Sequence, residues 1–466
     1  NGTKDWLSNL KLRLSYGTSG SDNISSNLWR ETWSSLGSGS NHTPINGELG
    51  SFYRPDGLLA NSKLKWETTI SRNFGIDFGF LNNRVNGSLE VYWNTTKDLL
   101  MAVPVDNTTG YSYQFQNFGK TSNRGIELSV NVDVINKGDF RFNVGAIYNY
   151  NRNKLDELPN ADQYLYSSYW GSSSLVPTND YMFVEGKAIG LVRGFISEGY
   201  YTVDDFNYTN GQYVLKEGVP DITKALTATY MHPYDLPAGQ TAFPGAAKFR
   251  DVDESGTVDL DDATCLGEVM PRHTGSFQLN FNYKNFDLST NFNWTAGGKV
   301  YNVAAMINAS GQEFDGIGAQ RASWVADAFK VYNVNAAGDL YAVTNPDELR
   351  ALNANAKYHL PYHQSGITSS EWLENGSYLR LQTLTLGYTL PKNWLTKVHV
   401  DKIRLYLTAT NLFTITGYSG IDPEVNANPT GQSGFYSDLR IFPTLNMDFG
   451  TYPRARTFTF GANITF

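Results

Sequence analysis

A twelve-residue segment in the middle of the chain has the residue types and spacing of a calcium-binding loop. The sequence DVDESGTVDLDD starts at Asp251 and places oxygen-bearing groups at loop positions 1, 3, 5, 7, 9 and 12. Gly256 stands at position 6, where such loops turn sharply. Hard oxygen donors at this spacing suit Ca²⁺. The predicted metal ligands are Asp251, Asp253, Ser255, Thr257 through its carbonyl oxygen, Asp259 and Asp262.

The last predicted ligand makes this a weak site. Calcium loops usually end on a bidentate glutamate, and Asp262 has a shorter side chain. An acidic, solvated turn without an ion is the alternative interpretation. Outside a cell, millimolar calcium fills even a site with a Kd of about 10⁻⁴–10⁻³ M. We therefore expect a structural ion that orders the surrounding loop and takes no part in a reaction.

The sequence contains no arrangement of residues typical of a catalytic centre. The Gly-Lys-Thr triplet at 119–121 resembles the end of a phosphate-binding loop, but Gln114 stands where that motif needs glycine. His359 and His363 are spaced like zinc ligands on a helix, yet Pro361 between them breaks such a helix. No nucleophile–base motif is present. We predict that the protein is not an enzyme.

An aromatic cluster in a polar segment is suited to a different kind of ligand. The sequence YLYSSYWGSSS at 164–174 places aromatic rings beside serine hydroxyl groups. Sugar rings stack on aromatic faces and hydrogen-bond to neighbouring hydroxyl groups, so this composition favours a glycan. Packing within the loop, or against a partner protein, explains it equally well. The predicted substrate-binding residues are Tyr164, Tyr166, Tyr169 and Trp170.

The elements that hold these segments are predicted to be β-strands. Apolar and polar residues alternate with a period of two, as in RTFTFGANITF, where Phe458, Phe460 and Ile464 alternate with threonine, glycine and asparagine. Such segments form strands with one apolar and one polar face. About ten strands are predicted, at residues 9–17, 64–80, 84–98, 123–135, 140–152, 274–284, 286–297, 377–390, 402–416 and 455–466.

The connections between these strands alternate between short and long. The short ones are 81–84, 136–139, 284–285 and a moderate 391–401. Such alternation is typical of outer-membrane barrels, which have tight periplasmic turns and long extracellular loops. The predicted fold is therefore all-β, an antiparallel transmembrane β-barrel. Its predicted extracellular loops are 18–63, 99–122, 153–273, 298–376 and 417–454. Within the 298–376 loop, QEFDGIGAQRASWVADAF predicts a short helix with a packing role.

The composition restricts the classes of partner and of fold. The net charge of −8 disfavours a nucleic-acid partner, because phosphate binding needs a basic face. Aromatic residues make up 14% of the chain, enough for interfacial belts or sugar-stacking surfaces. The single cysteine, Cys265, excludes an intrachain disulfide framework. The chain starts without an initiator methionine or a signal peptide, so we expect a fragment or a processed product.

Several long stretches match, in order, a sequence pattern that spans residues 10 to 466. They include NSKLKWETTISRNFGIDFGFLNNRVNGSLEVYWNTTKDLL, VEGKAIGLVRGFISEGYY, PGAAKFRDVDESGTVDLDD, YKNFDLSTNFNWTAGGKVYN and IRLYLTATNLFTITGYSGIDPEV. With these motifs the chain resembles the SusC/RagA family of TonB-dependent outer-membrane transporters.

The resemblance implies a function in nutrient uptake. Members of this family form a plugged 22-stranded barrel in the Bacteroidetes-like Gram-negative outer membrane. They import oligosaccharides, or peptides in one branch, beneath a SusD-like surface lipoprotein, and dimers of transporter–lipoprotein pairs are part of what the resemblance suggests. About ten strands correspond to the C-terminal part of such a wall. The plug, the first strands and the segment that contacts TonB are expected to lie outside this sequence.

The same residues are also compatible with a second function. A secreted all-β carbohydrate-binding or adhesive protein could use a dockerin-like calcium loop for assembly, with the aromatic cluster as its glycan surface. Dockerin function would need a second calcium loop, and the sequence contains none. Solubility separates the two hypotheses, because the barrel needs detergent and the secreted module dissolves in buffer.

Overall fold

Ten long antiparallel strands form the framework of the molecule. The computed structural model describes residues 6–21, 28–31, 33–35, 44–45, 48–49, 53–55, 58–111, 113–158, 163–167, 175–227, 232–310, 322–360, 366–395, 400–425 and 445–466. No helix within these ranges is long and apolar enough to span a membrane.

The ten strands make one sheet in which neighbours in sequence are neighbours in space. This confirms the ten predicted strands, with ends that differ by a few residues. The strands are β1 (Leu7–Ser21), β2 (Glu67–Phe80), β3 (Val85–Lys97), β4 (Lys120–Lys137), β5 (Phe140–Glu157), β6 (His273–Tyr283), β7 (Phe286–Ala296), β8 (Tyr378–Thr389), β9 (Lys402–Thr416) and β10 (Thr457–Thr465). β1 and β10 form the two edges of this sheet in the described part of the chain.

The two faces of the sheet differ in chemistry, as the alternation predicts. Large apolar side chains on one face are open to the surroundings: Leu14 is 82% exposed and Phe460 is 75% exposed. The register places a row of mostly polar residues on the opposite face, running from β1 to β7 through Arg13, Gly75, Glu90, Glu127, Asn149, Thr274 and Thr295. The sheet therefore has one continuous apolar face and one polar face.

The short connections are tight turns that need left-handed backbone. Between β2 and β3, Asn82 and Asn83 have φ values of 55° and 61°, and between β4 and β5 Gly138 has a φ of 58°. Asparagine and glycine adopt this conformation at low cost, and its twist matches that of the flanking strands. The longer connection between β8 and β9 contains one helical turn, α5 (Lys392–Leu395).

The long connections all leave the other end of the sheet and carry their own secondary structure. Their helices are α1 (Lys224–Thr227), α2 (Val303–Ser310), α3 (Ala322–Asp327) and α4 (Pro346–Leu352). Among their short strands are Leu100–Pro104, Tyr113–Asn117, Gln163–Tyr166, Tyr181–Val184, Leu191–Gly194, Ser197–Tyr200, Phe206–Thr209, Gln212–Leu215, Asp221–Ile222, Ala247–Phe249, Thr257–Val258, Thr264–Glu268, Lys299–Asn302, Tyr332–Val334, Leu340–Ala342, Gly366–Ile367, Leu373–Asn375 and Met447–Asp448.

These loops pack into two hydrophobic cores. The first core joins residues of four different long connections, represented by Met101, Tyr181, Tyr301 and Met447. The second core joins the β5–β6 and β7–β8 connections around residues such as Phe195. Because residues far apart in sequence bury their side chains together, the long loops form a folded layer over one end of the sheet.

Candidate functional site

The polar face of the sheet carries a charged network between its first three strands. The guanidinium of Arg13 on β1 donates hydrogen bonds to Asp77 on β2 and Glu90 on β3, both at 2.7 Å. Asn73 donates a further hydrogen bond to Glu90 at 2.8 Å. The guanidinium lies across Gly75, where a Cβ atom would be 3.0 Å from its central carbon. The glycine thus lets a long side chain lie flat against the sheet.

A second charged pair lies over a glycine near the end of the sheet where the short turns are. Arg404 on β9 forms a two-pronged ion pair with Asp287 on β7. Gly387 on the intervening strand β8 lies beneath this pair, since a Cβ there would be 2.4 Å from an Asp287 carboxylate oxygen. At these two places the polar face carries charges that are paired across strands.

The predicted calcium loop is anchored in the second core. Val258, inside the loop, is fully buried there, and Thr257–Val258 pairs in parallel with Asp221–Ile222. Gly256 has a φ of 87°, so the turn predicted at position 6 is present. Its N–H donates to Asp251 Oδ2 at 2.7 Å.

The structure brings three of the six predicted ligands together. Carboxylate oxygens of Asp251, Asp253 and Asp262 all lie within 4.8 Å of one another. Asp262 is fully buried and accepts hydrogen bonds from the backbone N–H groups of Val252 at 2.6 Å and Asp259 at 2.8 Å. Three carboxylates at this separation, one of them held rigidly, fit a hard divalent cation.

The other three predicted ligands make local contacts instead. The Asp259 carboxylate caps the short helical turn Leu260–Asp262 by accepting from the N–H of Asp261 at 2.8 Å. The Ser255 hydroxyl donates to the carbonyl oxygen of Thr257 at 3.0 Å. Hydrogen bonds from Ser255 lower the pKa of Asp253, so its carboxylate stays ionised well below neutral pH.

Two residues of the predicted aromatic cluster lie in or against the first core. Tyr166 is 4% exposed and stacks on Phe183 with ring centroids 4.7 Å apart. Tyr164 packs against the same core and is partly buried. The other two, Tyr169 and Trp170, lie outside the described residues. The contacts of the described pair correspond to the loop-packing interpretation, and whether the cluster binds substrate stays a prediction.

A cavity that the sequence did not reveal lies between α2, α3 and the segment 371–374. Its volume is about 260 Å³, and its lining includes Ala305, Ala309, Trp324, Tyr358, Glu371, Trp372, Glu374 and Ser419. The helix predicted within 312–329 is present as α3 over Ala322–Asp327, and it supplies Trp324. The lining residues are separated by up to about a hundred positions in sequence, so no local sequence motif could have predicted the cavity.

Two titratable groups lie beside this cavity, the partly buried Glu371 and the buried His359. The Oε2 atom of Glu371 lies 3.8 Å from Nε2 of His359, which is only 2% exposed. Burial raises the pKa of Glu371 to about 7 and lowers the pKa of His359 to about 4. At neutral pH the imidazole is uncharged and the carboxyl group is only partly ionised.

A buried ion-pair network holds the start of β8 to the β9–β10 connection. Arg380 is 2% exposed and donates to Thr414 Oγ1 at 3.0 Å, to Asp422 at 2.5 Å and to Glu424 at 3.0 Å. Arg454 approaches the same Glu424 at 2.8 Å. Because Thr414 belongs to β9, this network joins two strands of the sheet to the loop layer.

Comparison with known proteins assigns the fold to a family. Residues 4–412 match the family model described as "TonB dependent receptor-like, beta-barrel". The chain belongs to this TonB-dependent receptor family. It is 30% identical over 457 residues to TonB-dependent receptor P3 of Formosa agariphila, an alignment that covers 98% of this chain and 39% of that protein. It is 27% identical over 470 residues to TonB-dependent receptor SusC of Bacteroides thetaiotaomicron, covering 99% of this chain and 38% of SusC.

Solved structures with the same fold are also known. The structure of the RagAB peptide transporter superimposes with a TM-score of 0.66 at 21% identity, covering 99% of this chain and 41% of that chain. At this identity the match shows the fold. The chain thus spans about two fifths of the length of the relatives it matches.

Membership of the TonB-dependent receptor family explains the two faces of the sheet. The protein is an outer-membrane β-barrel protein, so the exposed apolar face contacts lipid and the polar face lines the interior. On the apolar face a row of aromatic residues runs across four strands near the short turns: Phe140, Tyr283, Phe286 and Tyr388. Near the long loops Tyr148 and Trp294 stack with centroids 6.1 Å apart. Such aromatic bands mark the two membrane interfaces.

The family assignment also decides between the hypotheses drawn from the sequence. The resemblance to SusC/RagA transporters is confirmed, and so are the barrel fold and the outer-membrane location. The family model and the relatives are those of TonB-dependent receptors, which confirms the prediction that the protein is not an enzyme. The alternative of a secreted carbohydrate-binding protein is wrong, because the chain belongs to an outer-membrane family.

Proposed function

We propose that this chain forms part of the wall and the loop layer of an outer-membrane importer of oligosaccharides, energised through TonB. The observation that carries the proposal is the ten-stranded sheet with a lipid face, a charged interior face and long loops folded together at one end. The relatives named TonB-dependent receptors and SusC support the transport class. Peptides are the second substrate class, which the RagAB peptide transporter supports.

The two sheet edges indicate how the wall is completed. β1 and β10 each present a row of backbone N–H and C=O groups that the described strands leave unpaired. Within hydrocarbon every such group needs a partner, so open sheet edges do not occur there. We propose that further strands pair with both edges to close a 22-stranded barrel around a plug. The long loops would then face outward beneath a SusD-like lipoprotein.

Energised uptake gives the test of this function. In cells that express the full-length protein, uptake of a fluorescently labelled oligosaccharide pool should fall to the level of a deletion strain when the proton gradient is collapsed. Surface binding of the same pool should persist, because binding precedes the energised step. A labelled peptide pool is measured in parallel. Uptake that survives both deletion and uncoupling would contradict the proposal, and uptake of peptides alone would assign the second substrate class.

We further propose that Asp251, Asp253 and Asp262 bind a structural calcium ion. The three carboxylates lie in the β5–β6 connection, whose fold they would stabilise. The expected effect is about 1.4 kcal/mol at a calcium concentration tenfold above Kd. Chelation should therefore speed proteolytic cleavage between residues 195 and 270 in the wild type by about tenfold.

The variant Asp251→Asn/Asp253→Asn tests the calcium site. It should be cleaved at the chelated rate whether or not calcium is added. Glu217→Gln, which removes an exposed acidic residue of the same connection, should keep the wild-type response. Equal cleavage of the wild type with calcium and with chelator would show that the loop is an acidic turn without an ion.

A further inference from the structure

We propose that the cavity lined by Trp324, Tyr358, Glu371 and Trp372 is a subsite for one sugar ring of the transported oligosaccharide. This inference rests on the proposed import function and deepens it by assigning the substrate class to particular residues. The cavity belongs to the loop layer, directly before the start of β8, so a ring bound there would lie at the loop end of the barrel wall.

The first requirement of a sugar site is an apolar wall, and three aromatic rings supply it. Trp324 and Tyr358 stack at 3.9 Å with an interplanar angle of 17°, and Trp372 lies 5.2 Å from Trp324 at 34°. Ala305 and Ala309 of α2 line the same space with small side chains. The cavity volume of about 260 Å³ is large enough for a single six-membered ring.

The second requirement is a pair of polar groups that a hydroxyl can satisfy. Among the residues that the structure describes, the buried Nε1–H of Trp324 has no hydrogen-bond acceptor, and Trp324 is only 8% exposed. The Glu371 side chain is 23% exposed, and its Oε2 atom lies 3.8 Å from His359 Nε2, beyond hydrogen-bonding distance. A buried indole N–H without a partner costs free energy unless a ligand satisfies it, and the partly exposed Glu371 carboxyl group is open to the same ligand.

The combination of these groups selects among ligand classes. A sugar ring presents an apolar face, hydroxyl donors for Glu371 and hydroxyl acceptors for Trp324. An ammonium group would satisfy Glu371 and stack on the rings, but it has no acceptor to offer the indole. An aliphatic side chain would satisfy neither polar group. Of these three groups, the hydroxylated ring is the one that uses all three features.

The second glutamate at this cavity, Glu374, differs from Glu371 because its carboxylate is already hydrogen-bonded within the protein. Glu374 is held by Asn302 at 2.7 Å, by the N–H of Ser419 at 2.7 Å and by the Ser419 hydroxyl at 2.7 Å. These bonds tie the 373–375 strand to the β9–β10 connection and occupy both carboxylate oxygens. Glu374 therefore fixes the edge of the cavity, and Glu371 is the carboxyl group left for a ligand.

Saturation-transfer NMR on the full-length protein in detergent tests the subsite with methyl β-D-glucopyranoside as the probe. The wild type should bind it in the millimolar range, and sorbitol, which has hydroxyl groups but no ring, should give no signal. Glu371→Gln and Trp324→Phe should each weaken binding by about tenfold, equivalent to about 1.4 kcal/mol. The matched controls Glu217→Gln and Trp394→Phe change exposed residues outside the cavity and should bind as the wild type does.

Three outcomes would overturn the inference, and they separate it from the import function. Equal glucoside binding by the wild type, Glu371→Gln and Trp324→Phe would overturn the subsite, while oligosaccharide uptake by cells would leave the import function standing. Glucosamine binding about tenfold tighter than the glucoside, lost in Glu371→Gln, would make the cavity a cation site. Uptake of peptides but not of oligosaccharides would remove the import function on which the subsite depends.

Discussion

Replacing Arg380 with methionine is expected to destabilise the contact between the sheet and the loop layer by about 3–5 kcal/mol. The guanidinium of Arg380 is buried and holds Asp422, which is itself only 8% exposed. Methionine fills most of the space but leaves the Asp422 carboxylate buried without its partner. An uncompensated buried charge costs far more than a buried pair contributes, which sets the size of the effect.

The loss of stability should appear first in the segment that this network holds to the sheet. Arg380 opens β8, and Asp422 and Glu424 follow β9, so the segment 417–425 should detach first. Limited proteolysis of the detergent-solubilised protein, with thermal unfolding in parallel, measures this. The double variant Arg380→Met/Asp422→Asn should recover part of the loss, because it removes the orphaned charge.

An exposed ion pair supplies the control for the Arg380 prediction. Arg250 pairs with Glu198 at 3.0 Å, and its side chain is 56% exposed. Exposed pairs contribute about 0–1 kcal/mol, so Arg250→Met should unfold close to the wild type. Equal stability of Arg380→Met and Arg250→Met would show that the buried network does not hold the loop layer to the sheet.

The sheet could be predicted from the sequence because its cause is local. A strand with lipid on one face and a polar interior on the other must alternate, and the alternation from Phe458 to Ile464 shows this within a few residues. The turn at Gly256 was predictable for the same reason, since all the groups that require it lie within one short loop.

The loop cavity could not be predicted, because its cause is not local. Trp324, Glu371 and Ser419 meet only after separate connections have packed into a common core. The sequence around Trp324 predicted a helix with a packing role, which describes its stacking on Tyr358 but not the cavity beside it. Glu371 carries no signal in the sequence, since an isolated glutamate before a tryptophan is ordinarily a surface residue.

Replacing Glu371 with glutamine is expected to stabilise the loop layer at pH 8 and to have little effect at pH 4. Burial raises the pKa of Glu371 from 4.5 to about 7, so the folded state holds its proton more tightly than the unfolded chain does. The contribution of this proton to stability is full below pH 4.5 and is lost as the pH rises through 7. Glutamine is isosteric and neutral, so it avoids a loss on the order of 1–3 kcal/mol.

The pH dependence of stability due to His359 has the opposite sign to that due to Glu371, so the two contributions have to be separated. Burial lowers the pKa of His359 to about 4, so between pH 4 and 6.5 the unfolded chain binds a proton that the folded protein does not. Stability due to His359 therefore rises with pH across that window, where the stability due to Glu371 falls. The two trends offset each other in the wild type between pH 4.5 and 6.5, and Glu371→Gln should expose the histidine trend alone.

Thermal unfolding of the wild type and of Glu371→Gln between pH 4 and 8 tests the predicted gain in stability. The difference in unfolding free energy should grow with pH and level off above pH 7, while Glu217→Gln should show no such trend, because Glu217 is exposed. A stability gain in the unliganded protein, combined with weaker glucoside binding, would show that the buried carboxyl group is retained at a cost to stability because it contacts ligand. A difference that is constant across the pH range would mean that folding leaves the pKa of Glu371 unchanged, which would contradict the raised pKa of this carboxyl group.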